Sequence, residues 1–345
     1  MLEIDGSKKS GSGTILRLSI AFAGILEEPL HVFNIRHRRN KPGLRPQHLE
    51  SVITAAKLCN AETEGVVLGS RELWFKPNGI ETGEIKAEIG TAGSIPMLLL
   101  TVLPICAYSN GDVSVHVVNG GTDVRHGPTI NYLNYMLLPI LKRMGLKASL
   151  TIKKFGYYPK GMGEVILNVY KNSELTSIRL DNFGEIDEVG GISVCTFLEK
   201  QKVAARQAET AKNIMKNNGY NPNINIVNDK SNPQQKGSSL VLWAKTNTGV
   251  LLGGDAIGEL RKSSEAVGRE AAENLLKETR QKTTVDEHLA DMLVPYIALA
   301  NGKSVYLTRR LTEHLETNIW LVEKILDTKI QTTTVGNLIR VETVK

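Results

Sequence analysis

Hydrophobic and polar positions along the chain follow an order that occurs three times. In the first two copies the order is a short strand, a glycine-rich turn, an apolar helix, a second strand, a second helix and two further strands. The first copy starts at Leu2, with an apolar helix predicted from Thr14 to about Leu26 and a strand over Leu30–Arg36. The second copy starts at Ile85, about 80 residues later, with helices predicted over Ile95–Tyr108 and Thr129–Met144. The third copy begins near Thr283, with its first helix at Glu287–Ala300. We therefore predict three βαβαββ repeats.

The second helix of the repeat begins with a similar sequence in copies one and three. Gln47–Ser51 reads QHLES and Glu313–Thr317 reads EHLET, and both segments lie where the second helix is predicted to start. A helix start offers unpaired backbone N–H groups and the positive end of the helix dipole, which suits phosphate. The repeats therefore place two similar anion-favouring helix starts in one protein.

Copies two and three are separated by roughly 100 residues with their own strand and helix pattern and with polar, turn-rich loops, NNGYNPN and NDKSNPQQKGSS. We predict an α+β fold with three βαβαββ repeats in a large, discontinuous domain, residues 1–177 and 281–345. A smaller α/β domain, residues 178–280, is inserted between repeats two and three.

Composition excludes several classes of protein. The chain has 345 residues, of which 41% are hydrophobic and 23% charged, as in ordinary globular proteins. The longest apolar stretch, Ile95–Ala107, contains two prolines and is too short to span a bilayer. The N-terminus lacks the apolar segment of a signal peptide. Three cysteines stand far apart in apolar contexts, which favours buried thiols in a reducing, cytoplasmic location.

The net charge of +6 is modest, but its distribution is informative. No acidic residue occurs from Pro29 to Leu49, and five cations fall there: Arg36, Arg38, Arg39, Lys41 and Arg45. Because a guanidinium can grip phosphate with two N–H groups, this loop favours a polyphosphate or nucleic-acid backbone. A solvated charged loop is the alternative, and most charge runs have that role.

The other candidate motifs are weak singly. The turn DGSKKSGSGTILR is rich in glycine but is neither a Walker A motif nor GxGxxG. The loop GGTDVRHGP contains Asp123, Arg125 and His126 in a context that is also typical of a plain connection. His314 follows Arg309 and Arg310 at a predicted helix start, where a histidine is usually a cap or a surface residue. Its neutral imidazole, with a pKa of about 6.5, could also act as a nucleophile, and adjacent cations favour that form.

Seven motifs taken together carry a specific resemblance. They occur in the order IDG…GSGTILR, IR-x-x-R-x-KPGLRPQHL, IGTAGS, VNGGTD, GYYPKGMGEV, EHLADML and HLETNI. In this order they resemble the RNA 3'-terminal phosphate cyclases, from about residue 2 to the C-terminus and most weakly across the insertion. The resemblance implies the fold of three repeats with an inserted α/β domain.

The resemblance also implies an activity, the ATP-dependent conversion of an RNA 3'-phosphate end to a 2',3'-cyclic phosphate. A histidine attacks the α-phosphate of ATP and forms a covalent histidine–AMP. AMP then passes to the RNA 3'-phosphate, and the neighbouring 2'-hydroxyl displaces it. The implied partners are ATP, a divalent metal (Mg or Mn) and RNA with a 3'-phosphate end; no membrane is involved.

Matching the family's motifs position by position assigns roles to individual residues. His314 falls on the nucleophile, and Asp291, His288 and Pro128 fall on the adenosine pocket. The residues expected on ATP and RNA phosphates are Arg17, Arg36, Arg39, Gln47, Arg38 and Lys41.

Five positions depart from the family's pattern. His288 stands where the family usually has a tyrosine, Phe155 where it has His or Arg, and GMG, with Met162, where it has GGG. Ser10 stands where the family usually has a glutamate near the metal, and Leu100 where it has a glutamine. The metal ligands therefore have no assignment.

Ser10 and Leu100 keep a second hypothesis open, a non-catalytic cyclase-like RNA-binding factor that acts in ribosomal RNA maturation. The resemblance implies that such relatives lack the nucleophilic histidine, so His314 argues against this hypothesis.

Overall fold

The computed structural model describes residues 1–171 and 174–344. In this part of the chain, helices pack against four sheets of four strands each. This arrangement confirms the predicted α+β class.

The first sheet has the strand order β1-β2-β4-β3. β1 and β2 are parallel, whereas β2–β4 and β3–β4 are antiparallel. Its connections are a helix between the parallel strands and a helix after the second strand, as in a split βαβ unit. The elements are β1 (Leu2–Asp5), α1 (Gly13–Leu26), β2 (Leu30–Phe33), α2 (Pro46–Leu58), β3 (Glu62–Glu64) and β4 (Leu73–Lys76).

The second sheet has the same arrangement of parallel and antiparallel pairs, in the order β5-β6-β8-β7. Its second helix, predicted over Thr129–Met144, has an internal π-helical segment. The elements are β5 (Gly83–Glu88), α3 (Ile95–Cys106), β6 (Val113–Gly120), α4 (Ile130–Tyr132), a π-helical segment (Leu133–Leu137), α5 (Leu138–Arg143), β7 (Ala148–Lys154) and β8 (Gly163–Val169).

The third sheet, in the order β15-β16-β14-β9, has the same arrangement of parallel and antiparallel pairs, but its first strand is not predicted from the sequence. β9 (Arg179–Leu180) pairs in parallel with β14, as β1 pairs with β2. The strands of the fourth sheet therefore follow β9 in the chain, and the domain bounds at residues 178 and 280 stay a prediction. A strand of two residues is too short to produce a hydrophobic period. The remaining elements are α8 (Glu287–Leu299), β14 (Val305–Thr308), α9 (Glu313–Leu326), β15 (Lys329–Val335) and β16 (Leu338–Val344).

The inserted segment forms the fourth sheet, in the order β11-β10-β12-β13, with two helices packed on it. Its last strand, β13, contacts the π-helical segment of repeat two. Trp243 on the neighbouring strand β12 stacks on Tyr135 of that segment, at 4.8 Å between ring centres. The elements are β10 (Ile186–Thr196), a 3₁₀ turn (Glu199–Gln201), α6 (Val203–Asn217), β11 (Asn223–Asp229), β12 (Gly237–Thr246), β13 (Leu251–Ile257) and α7 (Ser264–Gln281).

Helices from all three repeats meet at α1. This helix packs against α2, α3 and α9, and α9 packs against α8. Every α1 residue from Gly13 to Gly24 is buried, including Arg17. A helix so enclosed is apolar on all sides, and an arginine within it calls for a functional explanation.

The strand predicted over Leu30–Arg36 ends three residues early, at Phe33. Asn34 and Arg36 adopt left-handed backbone conformations, with φ of 54° and 55°. Such angles cannot continue a strand, so the chain turns there and carries the basic loop away from the sheet.

The three cysteines are buried and unpaired, as the sequence predicts. No helix in residues 1–171 or 174–344 is long and apolar enough to cross a membrane.

Candidate functional site

A cleft of about 810 Å³ opens beside the N-terminal ends of α1 and α9. All three repeats and the inserted unit contribute to its walls. The predicted site residues that line it are Arg17, Arg36, Arg39, Gln47, Pro128, His288, Asp291 and His314.

Two predicted residues are not among those that line the cleft. The Arg38 guanidinium donates a hydrogen bond to the backbone carbonyl of Lys9, at 2.5 Å. Lys41 contributes its backbone carbonyl as an acceptor for Arg36, at 2.8 Å. The cation track predicted from the basic loop is thus divided between the cleft and the surface next to it.

The start of α9 is held in place by a network around Asp291. Thr312 is the N-cap, accepting from the backbone N–H of Leu315 at 2.9 Å and donating to Asp291 Oδ1 at 2.7 Å. Asn318 donates to the backbone carbonyl of Asp291 at 2.8 Å and accepts from Thr14 at 3.2 Å. These contacts tie α9 to α8 and α1, so the position of His314 on the first turn is fixed relative to both helices. Thr312 and Asn318 are not predicted from the sequence.

The His314 imidazole favours the neutral form. The residue is exposed to the cleft, but the surrounding protein partly desolvates the ring, which lowers its pKa below the usual value, and the charges of Arg17 and Arg39 lower it further. These cations come from the first repeat and not from Arg309 and Arg310, which pair with Glu287 instead. A neutral imidazole has a lone pair available for attack at neutral pH.

Arg17 is an unpaired cation in the protein interior. Its side chain is 9% exposed, and in the described part of the chain no carboxylate or hydrogen-bond acceptor partners its guanidinium. Burial, together with Arg36 and Arg39, lowers the pKa of Arg17 to about 10. Because Arg17 also lines the cleft, its guanidinium is placed to bind an anion there.

His48 also lines the cleft, close to the arginines, and is not among the predicted site residues. Burial and four neighbouring arginines lower its pKa to about 2, so the ring stays neutral. Its Nδ1 atom is buried without a hydrogen-bond partner. A Cβ at Gly13 would overlap this ring, so the glycine allows α1 to start directly against it. In the sequence, His48 could have been found from the segment QHLES, which resembles EHLET and places His48 at the position of His314.

Gln47 links the phosphate-favouring elements of two repeats. Its Oε1 accepts from the backbone N–H of Ser94 at 2.9 Å, and Ser94 is the N-cap of α3. Gln47 therefore connects the start of α2 to the start of α3 at the cleft wall.

Two titratable residues, Asp291 and His288, lie one helical turn apart on α8, at the other end of the cleft. Burial raises the pKa of Asp291 to about 7, although its hydrogen bond from Thr312 opposes the shift. Burial lowers the pKa of His288, but the carboxylates of Asp255, Asp286 and Asp291 outweigh burial and raise it overall. Pro128 and Met292 add apolar surface to the lining, so this end combines polar groups with a hydrophobic wall.

The inserted unit supplies cleft residues that sequence reasoning missed. Asp255 and Glu259 lie on β13 and just after it, and both line the cleft. Asp255 accepts from the backbone N–H of Thr129 at 2.9 Å. Glu259 forms a two-point ion pair with Arg125 of repeat two. The loop GGTDVRHGP thus joins the two units, while its Asp123 is buried and bonded to Thr122 and to the start of α4.

The described side chains do not form a metal site by themselves. Residues 1–171 and 174–344 contain no group of three His, Cys, Asp or Glu side chains that could hold a metal ion. Ser10 does not line the cleft: it donates its backbone N–H to Thr317, and its hydroxyl lies 3.0 Å from that of Ser12. The cleft carboxylates have other partners, Glu259 with Arg125 and Glu270 with Lys262. We therefore assign no chemical step to a metal.

Arginines, helix starts and a neutral histidine around one cleft define a protein that handles phosphate on an α+β repeat fold. A family model described as RNA 3'-terminal phosphate cyclase matches residues 8–332. The chain belongs to this family.

Named relatives agree with this assignment. An RNA 3'-terminal phosphate cyclase of Pyrobaculum neutrophilum is 40% identical over 332 residues, which cover 96% of this chain and 94% of that protein. Those of Caldivirga maquilingensis and Methanopyrus kandleri are 39% and 38% identical, covering 99% and 96% of this chain and 97% and 95% of the relatives. The similarity therefore extends over the inserted unit, where the sequence motifs are weakest.

Proposed function

We propose that the protein is an ATP-dependent RNA 3'-terminal phosphate cyclase that converts 3'-phosphate ends to 2',3'-cyclic phosphates. The single observation that carries the proposal is the neutral His314 imidazole in a cleft lined by Arg17, Arg36 and Arg39. The family name supports the substrate and the reaction. The histidine–AMP step goes beyond that name: the motif resemblance implies it, and the position of His314 beside the arginines supports it.

In the proposed first step a ring nitrogen of His314 attacks the α-phosphorus of ATP. A nitrogen–phosphorus bond forms, the bond from that phosphorus to the bridging oxygen breaks, and pyrophosphate leaves with the electron pair. The arginines stabilise negative charge that builds up on the phosphoryl oxygens and on the leaving pyrophosphate. Because Arg17 is buried and Arg36 is half-buried, their charges are screened less than they would be in water, whereas Arg39 is exposed.

In the second step an oxygen of the RNA 3'-phosphate attacks the same phosphorus and displaces His314, which is regenerated. The RNA now ends in a phosphoanhydride to AMP. In the third step the 2'-hydroxyl attacks the RNA phosphorus and loses its proton, and AMP leaves. Activation is needed because the free phosphate has no adequate leaving group. Ring closure is intramolecular, and that advantage can reach about 11 kcal/mol.

The α8 end of the cleft is the proposed nucleoside site. Asp291 offers carboxylate oxygens for ribose hydroxyls, and Pro128 and His288 offer surfaces for a base. A divalent cation would enter with the ATP phosphates, which supply oxygen ligands of the kind that Mg²⁺ prefers. Because the three described cysteines are buried and unpaired, a reducing cytoplasmic location remains part of the proposal.

The test is covalent labelling. Wild-type protein incubated with Mg²⁺ and ATP labelled at the α-phosphate should retain label after denaturation, whereas ATP labelled at the γ-phosphate should leave none. The label should be lost in acid, as expected for a phosphorus–nitrogen bond, and should move to RNA that ends in a 3'-phosphate. If the protein binds this RNA but never acquires label, the non-catalytic RNA-binding hypothesis replaces the cyclase.

The rate of labelling should depend on pH in a direction that His314 determines. Only the neutral ring attacks, and its pKa lies below the usual value of about 6.5. The rate should therefore stay level as the pH falls from about 8 to about 6.5, and should decline only below that. Single-turnover label formation across this range measures the profile.

Arg39→Gln provides the matched test. Removing one of the cations that lower the pKa of His314 should move the decline to higher pH. A wild-type decline centred near pH 7 would contradict the prediction and would point to Asp291, whose pKa is about 7.

A further inference from the structure

A second cavity, of about 280 Å³, lies beside the cleft between the glycine-rich turn and α9. Its lining residues are Asp5, Lys8, Lys9, Trp320 and Lys324. None of these residues lines the cleft, and the proposed chemistry uses none of them.

The cavity carries a positive charge. Asp5 faces Lys8 at 3.9 Å, but its carboxylate already accepts hydrogen bonds from Ser7 and Asn34. In the described part of the chain, Lys9 and Lys324 have no carboxylate partner. Three ammonium groups therefore surround a pocket with one satisfied carboxylate, and an anion is the complementary ligand.

Trp320 gives the cavity an aromatic wall. The indole is half-buried on α9, and the Lys324 ammonium lies over it, 5.9 Å from the ring centre. The two residues are four apart, which brings them together on one helix face. An aromatic face flanked by lysines is the arrangement that binds single-stranded nucleic acid, because any base can stack on the ring while the cations bind the backbone.

The glycine-rich turn connects this cavity to the cleft. Its Ser10 N–H bonds to Thr317 of α9 at 3.2 Å, so the turn contacts the helix between the turn residues that line the two cavities. Lys9 lines one cavity and Ser12 the other, and three residues span at most about 11 Å.

Arg38 extends the basic surface at this crossing. It packs on Gly11, where a Cβ would overlap its side chain, and it bonds to the carbonyl of Lys9. A predicted RNA contact that is absent from the cleft thus lies beside the second cavity.

We propose that Lys8, Lys9, Trp320 and Lys324, the Trp320 platform, bind the single-stranded RNA segment that precedes the reacting 3' end. A base stacks on the indole, and the lysines contact backbone phosphates. The proposal rests on the proposed function, since it assumes that the 3' end of this RNA enters the cleft.

The stacking contact is tested with a fluorescent single-stranded RNA of about 12 nucleotides ending in a 3'-phosphate. Trp320→Leu keeps an apolar side chain but removes the aromatic face, and it should weaken binding about tenfold. Trp320→Phe keeps an aromatic face and should restore most of the affinity. Equal losses in both variants would mean that Trp320 serves helix packing, and would overturn the stacking proposal.

The lysine contacts are tested by salt dependence. For single strands, each phosphate contact contributes about 0.7 to the slope of log affinity against log salt concentration. In the double variant Lys9→Ala/Lys324→Ala, the affinity should therefore fall less steeply with salt, with a slope smaller in magnitude by about 1.4. Lys216→Ala, on α6 and lining neither cavity, is the charge control and should leave the slope close to that of the wild type. An unchanged slope in the double variant overturns the proposal.

Thermal melting and ATP labelling of the same preparations separate the possible failures. A variant that melts like the wild type and still acquires label has an intact cleft, so its loss of RNA affinity belongs to the platform. If the wild type binds RNA through Trp320 but never acquires label, the proposed function fails and the platform stands. If it acquires label but binds RNA without regard to Trp320 and the lysines, or binds none, the platform fails.

Discussion

Replacing His314 by alanine is expected to remove the covalent AMP label completely and to lower RNA cyclisation by at least about 1000-fold. The reason is that the imidazole nitrogen is the atom that bonds to phosphorus, and alanine offers no nucleophile in its place. The arginines and helix starts remain, so binding of ATP should persist while labelling is lost. Retained label after denaturation and the yield of cyclic ends measure the two effects.

His37→Ala is the matched control. His37 lies in the basic loop on the exposed surface and does not line the cleft, so its loss should leave labelling at the wild-type level. The decisive contrary result is His314→Ala protein that still carries acid-labile AMP, because the nucleophile would then be another residue. His48 and His126 also line the cleft, and peptide mapping of the label would show which residue carries it.

How far the sequence determines this site can be judged from particular residues. The apolar helices are predicted well because they are long and strongly patterned: α1 (Gly13–Leu26) was expected from Thr14 to about Leu26, and α3 (Ile95–Cys106) over Ile95–Tyr108. The motif resemblance then selects His314 and Arg17 among many histidines and arginines, and the structure brings both to one cleft.

The contacts that orient these residues are not visible in the sequence. Thr312 has the sequence context of an ordinary N-cap. Its hydroxyl reaches Asp291 only because α8 packs beside α9, and no local pattern predicts that packing. Glu259 and Asp255 enter the cleft because β13 packs on repeat two, a tertiary contact with no local pattern. Strand β9 is missed for a related reason, since pairing with β14 alone makes its two residues a strand.

Arg17→Met is expected to separate stability from function. The guanidinium is buried without a partner in the described part of the chain, close to two other cations, and an unpaired buried charge is destabilising. Methionine has a similar length, forms helices well and carries no charge. The free variant should therefore melt a few degrees above the wild type, while its affinity for ATP falls about 10- to 100-fold through loss of charged hydrogen bonds.

Melting with and without pyrophosphate tests both expected effects of Arg17→Met, on stability and on phosphate binding. A ligand that binds only the folded protein raises the melting temperature by mass action, so pyrophosphate should stabilise the wild type and have much less effect on Arg17→Met. Arg45→Met is the matched control: Arg45 is the N-cap residue of α2 and does not line the cleft, so this variant should respond to pyrophosphate as the wild type does. An Arg17→Met protein that melts lower than the wild type yet responds fully to pyrophosphate would show that Arg17 is a structural residue. A higher melting temperature with a lost response would show that the protein keeps a destabilising charge in its interior because its phosphate ligand needs it.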